Sequence, residues 1–393
     1  MTTIITGPKI YIENSVLCDT DLIIDGTQIA AFSPTKSHNA NAQVLRFPAT
    51  WHLIPGMIDL HIHGVGNKDV MDVGTDETAL PQICAALPAE GVTSFLATTI
   101  TAAVDVIERA LNATSIYINK QQLQSGAEIL GINLEGPFLS PLKYGAQPRN
   151  LIIPPHLELF KRWEAIAAYL IKIVTIAPEM PNATSLIAYA KTKGIIASLG
   201  HSNASYEQTL AAMKAGISHA THLFNAMHAI SQRDPGNAIA LLLANNVTAE
   251  LIVDGVHVHP ALIQLVARAK SLENIILITD AIRAKNMPDG EYDLGGQIVM
   301  VKDGIAKLQD GTLAGSTLKM NIALRNMVQI TKYLFTDVLK MATENPAKKI
   351  NVFDRKGSIA IGKDADLVVL NENYEVMLTM CRGAVAYTAI PSK

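Results

Sequence analysis

Two histidines one residue apart, His61 and His63, close the apolar run Leu53-Ile54-Pro55-Gly56-Met57-Ile58-Asp59-Leu60-His61-Ile62-His63-Gly64. Alternate residues of a β-strand share a face, so both imidazoles point the same way and can grip one cation. A cation site needs more ligands, and suitable residues recur at the ends of other short apolar runs. Glu135 ends Gly131-Ile132-Asn133-Leu134-Glu135, His201 and His222 close two later runs, and Asp280 follows Ile275-Ile276-Leu277-Ile278-Thr279. Imidazole and carboxylate suit zinc and related divalent ions, and a catalytic site of this type keeps a position open for water. Beside such a water, Asp280 can take a proton during attack and return it to the leaving group. A lone carboxylate on an apolar strand is costly to bury, and a cation at Glu135 would neutralise it. A single histidine is more often structural than a ligand, and Asp280 also suits a helix N-cap. Their recurrence at strand ends favours the metal reading.

Such a site requires a scaffold that gathers many strand ends. Short apolar runs at residues 58–63, 94–99, 129–135, 171–177, 195–199, 219–223, 251–253 and 275–279 read as strands. Segments of helical composition, residues 101–124, 157–169, 206–215, 260–271 and 318–333, separate most of them. This alternation predicts an α/β fold, a (β/α)₈ barrel whose working residues lie at the C-terminal ends of its strands. No Gly-rich phosphate fingerprint follows any strand, which disfavours a doubly wound sheet. Both termini read as short β-pieces, with a hairpin signal at Asp25-Gly26, and predict one small antiparallel domain. The expected division is a β-sandwich from residues 1–54 and 353–393 around a barrel of residues 55–352. Residues 283–315 break the rhythm with many Gly and Asp and a hairpin near 297–304, the pattern of a lid or binding loop.

Composition narrows the function classes. A chain of 393 residues, 49% hydrophobic and 17% charged, suits a compact soluble protein. The net charge of −3, with no basic run, gives no sign of a nucleic-acid or anionic-membrane surface. No apolar stretch reaches the roughly 20 residues of a membrane helix, and the first residues lack a secretion signal. The three cysteines show no paired spacing, so a reducing, cytoplasmic setting is expected.

The other histidines divide. His257 closes the seventh run in Val253-Asp254-Gly255-Val256-His257 and can orient or polarise a substrate carbonyl. His259 reads as a solvated loop residue, and His219, at the start of the sixth run, as buried and hydrogen-bonded. His38, His52, His156 and His228 read as structural.

Together these residues resemble the amidohydrolase superfamily and, within it, the deacetylases of 6-phosphorylated N-acetyl amino sugars. The resemblance spans nearly the whole chain. Its carriers are Pro55-Gly56-Met57-Ile58-Asp59-Leu60-His61-Ile62-His63-Gly64, Leu134-Glu135-Gly136-Pro137, Gly200-His201-Ser202 and Thr221-His222-Leu223-Phe224-Asn225-Ala226-Met227. Further carriers are Asp254-Gly255-Val256-His257, Thr279-Asp280-Ala281, Leu313-Ala314-Gly315-Ser316 and the closing Gly362-Lys363-Asp364-Ala365-Asp366-Leu367-Val368. The resemblance implies hydrolysis of the N-acetyl amide of N-acetylglucosamine 6-phosphate, in amino-sugar catabolism, with the galacto epimer as the alternative substrate. It implies that Glu135, His201 and His222 hold the principal metal and that Asp280 is the catalytic acid and base. Asn225, Ala226 and Arg233 match phosphate-binding positions, and Arg suits that role through its planar fork. His257 matches a substrate-contacting histidine, and Leu313, Ala314 and Gly315 a loop closing over the sugar.

A homodimer is also implied, with the phosphate site completed by the partner chain. Family members that keep His-x-His can hold a second metal; this chain keeps it, so a capacity for one or two divalent ions is expected, zinc first and iron, manganese or cobalt as alternatives. The chain departs from the family at Gly145-Ala146-Gln147-Pro148, where a histidine is common in place of Gln147. Gln147 can donate a hydrogen bond but carries no charge, so altered phosphate affinity or substrate choice is expected. Other readings fit less well. A dihydroorotase-like enzyme would carry a metal-bridging lysine on the fourth strand, whereas Lys172 sits at that strand's start. A non-catalytic scaffold would have lost ligands.

Overall fold

A computed structural model describes residues 2–34, 42–121 and 126–389; His38 and the end of the helical run 101–124 lie outside them. Eight parallel strands form the centre: Met57–Ile62, Val92–Thr98, Glu128–Leu134, Ile171–Ile176, Ile196–Leu199, Ile217–Ala220, Thr248–Ile252 and Ile275–Ile278. Each hydrogen-bonds to the next in that order. They are rich in Ile, Val and Leu and almost wholly buried, as strands covered on both faces must be. The eighth strand returns to the first: the Asp280 N–H donates to the His61 carbonyl at 2.9 Å, and Ile62 bridges to Ala281. That seam closes the sheet into the predicted barrel.

Helices cover the outer face. Val104–Lys120, Leu157–Ile166, Tyr206–Ala215, Pro260–Ala269 and Met320–Thr331 fall within the expected segments. Ala79–Ala86, Ala183–Thr192 and Gly236–Leu243 escape sequence reading, and all three begin without a side-chain cap. By contrast, Ser205 opens its helix with a full capping box to Gln208.

Strands six and seven begin earlier than expected, at Ile217 and Thr248. Ser218, His219, Thr248 and Glu250 interrupt the apolar pattern there, yet each lies in the sheet. His219 is therefore the third residue of its strand rather than the first. His257 does not close strand seven: that strand ends at Ile252, and His257 lies on the following loop.

The terminal segments build two sheets. One has the order Gln28–Pro34, Thr20–Asp25, Thr2–Thr6, Gln43–Arg46; the other Ala384–Thr388, Val376–Cys381, Leu367–Leu370, His52–Pro55, Lys9–Ile12, Ser15–Leu17. Their shared core includes Ile5, Leu22, Ile24, Leu53, Leu367 and Val369. The predicted hairpin forms at Gly26, which takes φ +58°. The sheets are mixed rather than antiparallel, because Thr2–Thr6 runs parallel to Gln43–Arg46 and Lys9–Ile12 parallel to His52–Pro55. In each pair an intervening excursion lets the chain re-enter in the same direction. Leu367 pairs with Pro55 and Val369 with Leu53, so the C-terminal segment braces the strand leading into His61.

Residues 283–315 carry a three-stranded antiparallel sheet, Gly290–Leu294, Gln297–Lys302 and Ile305–Lys307. Leu294, Val299, Val301, Ala306 and Ala314 pack with Ile100 and Ile282, so the insertion has its own apolar core against the barrel rim. Among the described residues, no helix is long and apolar enough to cross a membrane, and all three cysteines are free.

Candidate active site

Five strand ends deliver the expected side chains into one cavity of about 210 Å³, lined by His63, Glu135, His201, His222 and Asp280 and walled by Gln147, Asn225, His257 and Leu313. His61 lies just beneath, fully buried. A cavity of about 200 Å³ beside Tyr11, Glu13 and Ser358 has none of these residues in its wall. The backbone turns the ligands inward at some conformational cost. His201, His222, Ala226 and Asp280 take φ values of +45°, +29°, +50° and +48°, left-handed geometry that costs an L-residue on the order of 1 kcal/mol.

Glu135 stands at the centre. Its Oε1 lies 3.0 Å from His222 Nε2, 3.2 Å from His201 Nε2 and 3.6 Å from His61 Nε2, while Oε2 lies 3.3 Å from His63 Nε2. Across the cavity, Asp280 Oδ1 is 3.4 Å from His61 Nε2 and 3.2 Å from His63 Nε2. Three sets of ligand atoms converge tightly enough to hold an ion: Glu135 with His201 and His222, Glu135 with His61 and His63, and Asp280 with His61 and His222. Two independent features fit a cation. The Nε2 of His201 and His222 approach to 3.1 Å, close for two lone pairs, and the buried Nε2 of His61 has no hydrogen-bond partner. Among the described residues, no lysine or arginine lines the cavity to balance its carboxylates.

The charge balance agrees. Burial alone would lower His61, but Glu135, Glu250 and Asp280 outweigh it and raise its pKa well above the ordinary value. His63 is likewise lowered by burial yet pushed up to about 9 by Asp280 and Glu135. In return, Glu135 and Asp280 are held below the usual carboxylate range despite burial, Glu135 chiefly by His61, His201 and His222 and Asp280 chiefly by His61 and His63. Protons collect on these imidazoles because anions surround them, and the same field attracts a divalent ion. Asp280 is therefore ionised at rest, as a proton acceptor must be.

Second contacts set the imidazole tautomers. His201 Nδ1 donates to the Lys143 carbonyl at 3.0 Å, leaving Nε2 free to ligate. His61 Nδ1 donates to Glu250 Oε2 at 3.0 Å; the same oxygen accepts the His222 N–H at 3.0 Å, and Oε1 accepts from His219 Nε2 at 3.1 Å. Sequence reading misses Glu250 because the apolar run it recognises, residues 251–253, starts just after it, whereas the strand starts at Thr248. The signal was present: a carboxylate in the apolar strand Thr248-Ala249-Glu250-Leu251-Ile252 is the pattern that singled out Glu135. Asp59 was also missed. It shares a strand face with His61 and His63 and accepts from Thr279 Oγ1 at 2.6 Å, tying strand one to strand eight below Asp280.

The expected substrate residues are placed unevenly. Ala146, Gln147, Asn225, Ala226, Leu313, Gly315 and His257 line the cavity, whereas Ala314 is buried in the core of the insertion. His257 Nδ1 donates to Asp254 Oδ2 at 2.6 Å, so its Nε2 is the edge left for a ligand. A neutral His257 can only accept there, and donation to a carbonyl requires the protonated ring. Arg233 lies on an exposed turn outside the cavity wall. His219 and His52 are hydrogen-bonded structural residues, as expected. His228 bridges Asn203 and Asp234 and His156 caps a helix through Nδ1, both structural as expected, while His259 also caps a helix through Nδ1 rather than being merely solvated.

Comparison with known proteins gives the family and its relatives. Residues 52–386 match the amidohydrolase family. The chain is 45% identical over 379 residues to the N-acetylglucosamine-6-phosphate deacetylase of Bacillus subtilis, covering 96% of this chain and 95% of that protein. It is 35% identical over 388 residues to the N-acetylgalactosamine-6-phosphate deacetylase of Escherichia coli O157:H7, covering 98% of this chain and all of that one, 100%. The fold superposes with a TM-score of 0.91 on a mutant N-acetyl-D-glucosamine-6-phosphate deacetylase from Mycobacterium smegmatis in complex with N-acetyl-D-glucosamine-6-phosphate, at 33% identity and covering 98% of this chain and 100% of that one.

Proposed function

The chain belongs to the amidohydrolase family, and from that premise we propose that it hydrolyses the acetamide of N-acetylglucosamine 6-phosphate to glucosamine 6-phosphate and acetate. The observation that carries this reading is the meeting of Glu135, His201 and His222 with Asp280 in one cavity. Cytoplasmic catabolism of amino sugars is the setting this activity suits.

Glu135, His201 and His222 would hold the principal divalent ion, zinc by ligand type, and His61 and His63 would hold a second against Glu135. Bound there, such an ion would supply Lewis-acid chemistry, polarising a carbonyl and acidifying a water. Asp280, ionised and facing the cavity, would take the proton from an attacking water as the water oxygen adds to the carbonyl carbon. Asp280 then passes the proton to the amide nitrogen, the C–N bond breaks, and the amine leaves with acetate as the second product. His257, anchored through Nδ1 by Asp254, presents Nε2 to the bound sugar and, when protonated, to the developing oxyanion. Leu294 and Leu313, both in the cavity wall, exclude bulk water from the reacting atoms.

Asn225 and the Ala226 backbone form part of the phosphate pocket. Exposed Arg233 would reach that phosphate across a homodimer interface, from the neighbouring copy. The galacto epimer is the second reading, favoured by the 35% identical relative named for it. Acetate release from the two epimers, assayed side by side with and without a chelator, tests both. A rate on N-acetylglucosamine 6-phosphate at least tenfold above that on its epimer, lost on chelation, is the expected result; no acetate from either would overturn the proposal.

A further inference from the structure

Gln147 occupies the place where the sequence suggested a phosphate contact, yet its hydrogen bonds point elsewhere. The residue is 4% exposed. The main-chain N–H of Thr101 donates to Gln147 Oε1 at 2.8 Å, and Gln147 Nε2 donates to Glu135 Oε2 at 2.8 Å. A backbone N–H can only donate, so the amide oxygen must face Thr101 and the NH₂ must face the carboxylate. The contact is rigidly framed. Glu135 is followed by Gly136 at φ +74°, where an added Cβ would lie 2.1 Å from Thr101 Oγ1. Three segments, after strand two, at the end of strand three and in the loop beyond it, therefore meet here, with no room for a side chain at position 136.

The consequence lies in how the Glu135 oxygens are divided. Oε1 lies nearest His222 and His201, at 3.0 and 3.2 Å, with His61 farther off at 3.6 Å, and Oε2 faces His63 and the Gln147 amide. A carboxylate oxygen has two lone pairs, and a neutral donor takes one of those on Oε2 without cancelling the anion. A carboxylate free to rotate could offer both oxygens to one ion; here its plane is held. We infer that Gln147 is a positioning residue that orients Glu135 so that its two oxygens serve separate cations, and that it thereby governs occupancy of the His61–His63 position. This rests on Glu135 being a metal ligand.

The test is zinc binding to metal-free protein, read by calorimetric titration with zinc chloride and by metal analysis at saturation, for wild type, Gln147→Leu and Gln147→Met. Wild type is expected to bind two zinc ions per chain. Both variants are expected to keep the first ion with near-normal affinity and to bind the second about 10- to 100-fold more weakly, the usual effect of losing an outer-shell partner. Their kcat/KM should fall by the same factor for N-acetylglucosamine 6-phosphate and for unphosphorylated N-acetylglucosamine. Two ions of unchanged affinity in either folded variant, or a loss confined to the phosphorylated substrate, would overturn the inference and return Gln147 to the phosphate site. One ion per wild-type chain at saturation would overturn it too, while leaving the deacetylase reading intact; none at all would remove both.

Discussion

Glu250 and His61 are joined in the fully buried barrel interior by a hydrogen bond of 3.0 Å from Nδ1 to Oε2, across 189 residues of sequence. The bond places the His61 proton on the side away from the cavity and leaves Nε2 pointing between Glu135 and Asp280. Because the same oxygen also accepts the His222 N–H, one carboxylate aligns ligands from both candidate ion positions. Burial would raise its pKa, but His61 and His219 outweigh that and hold it well below the ordinary value, so it acts as a permanent acceptor.

Glu250→Gln keeps the volume but offers one acceptor oxygen to three donors. Zinc affinity of the metal-free protein is expected to fall about 10- to 100-fold, as is usual for a carboxylate behind a ligating histidine. Calorimetric titration measures it; wild-type affinity in a folded variant would exclude the positioning role.

Asp280→Asn removes the proton acceptor while keeping the shape. Turnover is expected to drop by about 10²- to 10⁴-fold, the usual contribution of a positioned acid–base group, with the ion at Glu135, His201 and His222 retained. Metal analysis run beside the acetate assay separates chemistry from binding. Near-normal turnover would sink the assignment.

Arg233→Ala should raise KM for the phosphorylated substrate about 10- to 100-fold, matching the roughly 1.5–3 kcal/mol of a hydrogen bond to a charged group. Unphosphorylated N-acetylglucosamine should be hydrolysed as by wild type. Since Arg233 is exposed and away from its own cavity wall, a mixed dimer of Arg233→Ala and Asp280→Asn chains should form one fully competent site. Equal weakening of both sugars would argue against a phosphate contact.

Stability should fall in acid through Glu128, at the start of the third barrel strand. It pairs with Arg355 at 2.6 Å and Lys356 at 2.8 Å, residues that lead into the C-terminal strands. Burial alone would raise its carboxyl, but these cations outweigh it and lower the pKa to about 2 from an ordinary 4.5. A depressed folded-state pKa stabilises fully above the unfolded value, so the contribution is present above pH 4.5 and lost as pH falls towards about 2. It amounts to at most about 3 kcal/mol. Glu128→Gln should flatten denaturant-measured stability over that range; an unchanged pH slope would count against the pairing.

The chemistry on offer and the framework for it are legible in the amino-acid order alone. Runs of β-branched residues alternating with helical segments specify a parallel barrel, and His61, His63, Glu135, His201, His222 and Asp280 are legible because each sits at or just beyond the end of an apolar run, the first two sharing one. These are local signals. Strand periodicity depends only on neighbouring residues, and a carboxylate in an apolar stretch is conspicuous wherever it lies. Which groups meet depends on the folded chain. The tie from Glu250 to His61, the Gln147 amide turned towards Glu135, the anchoring of His257 by Asp254 and the exposure of Arg233 depend on barrel closure and loop placement. Closure brings strand eight against strand one at Asp280 and His61, and hydrogen bonds between residues so far apart in sequence exist only once that seam has formed.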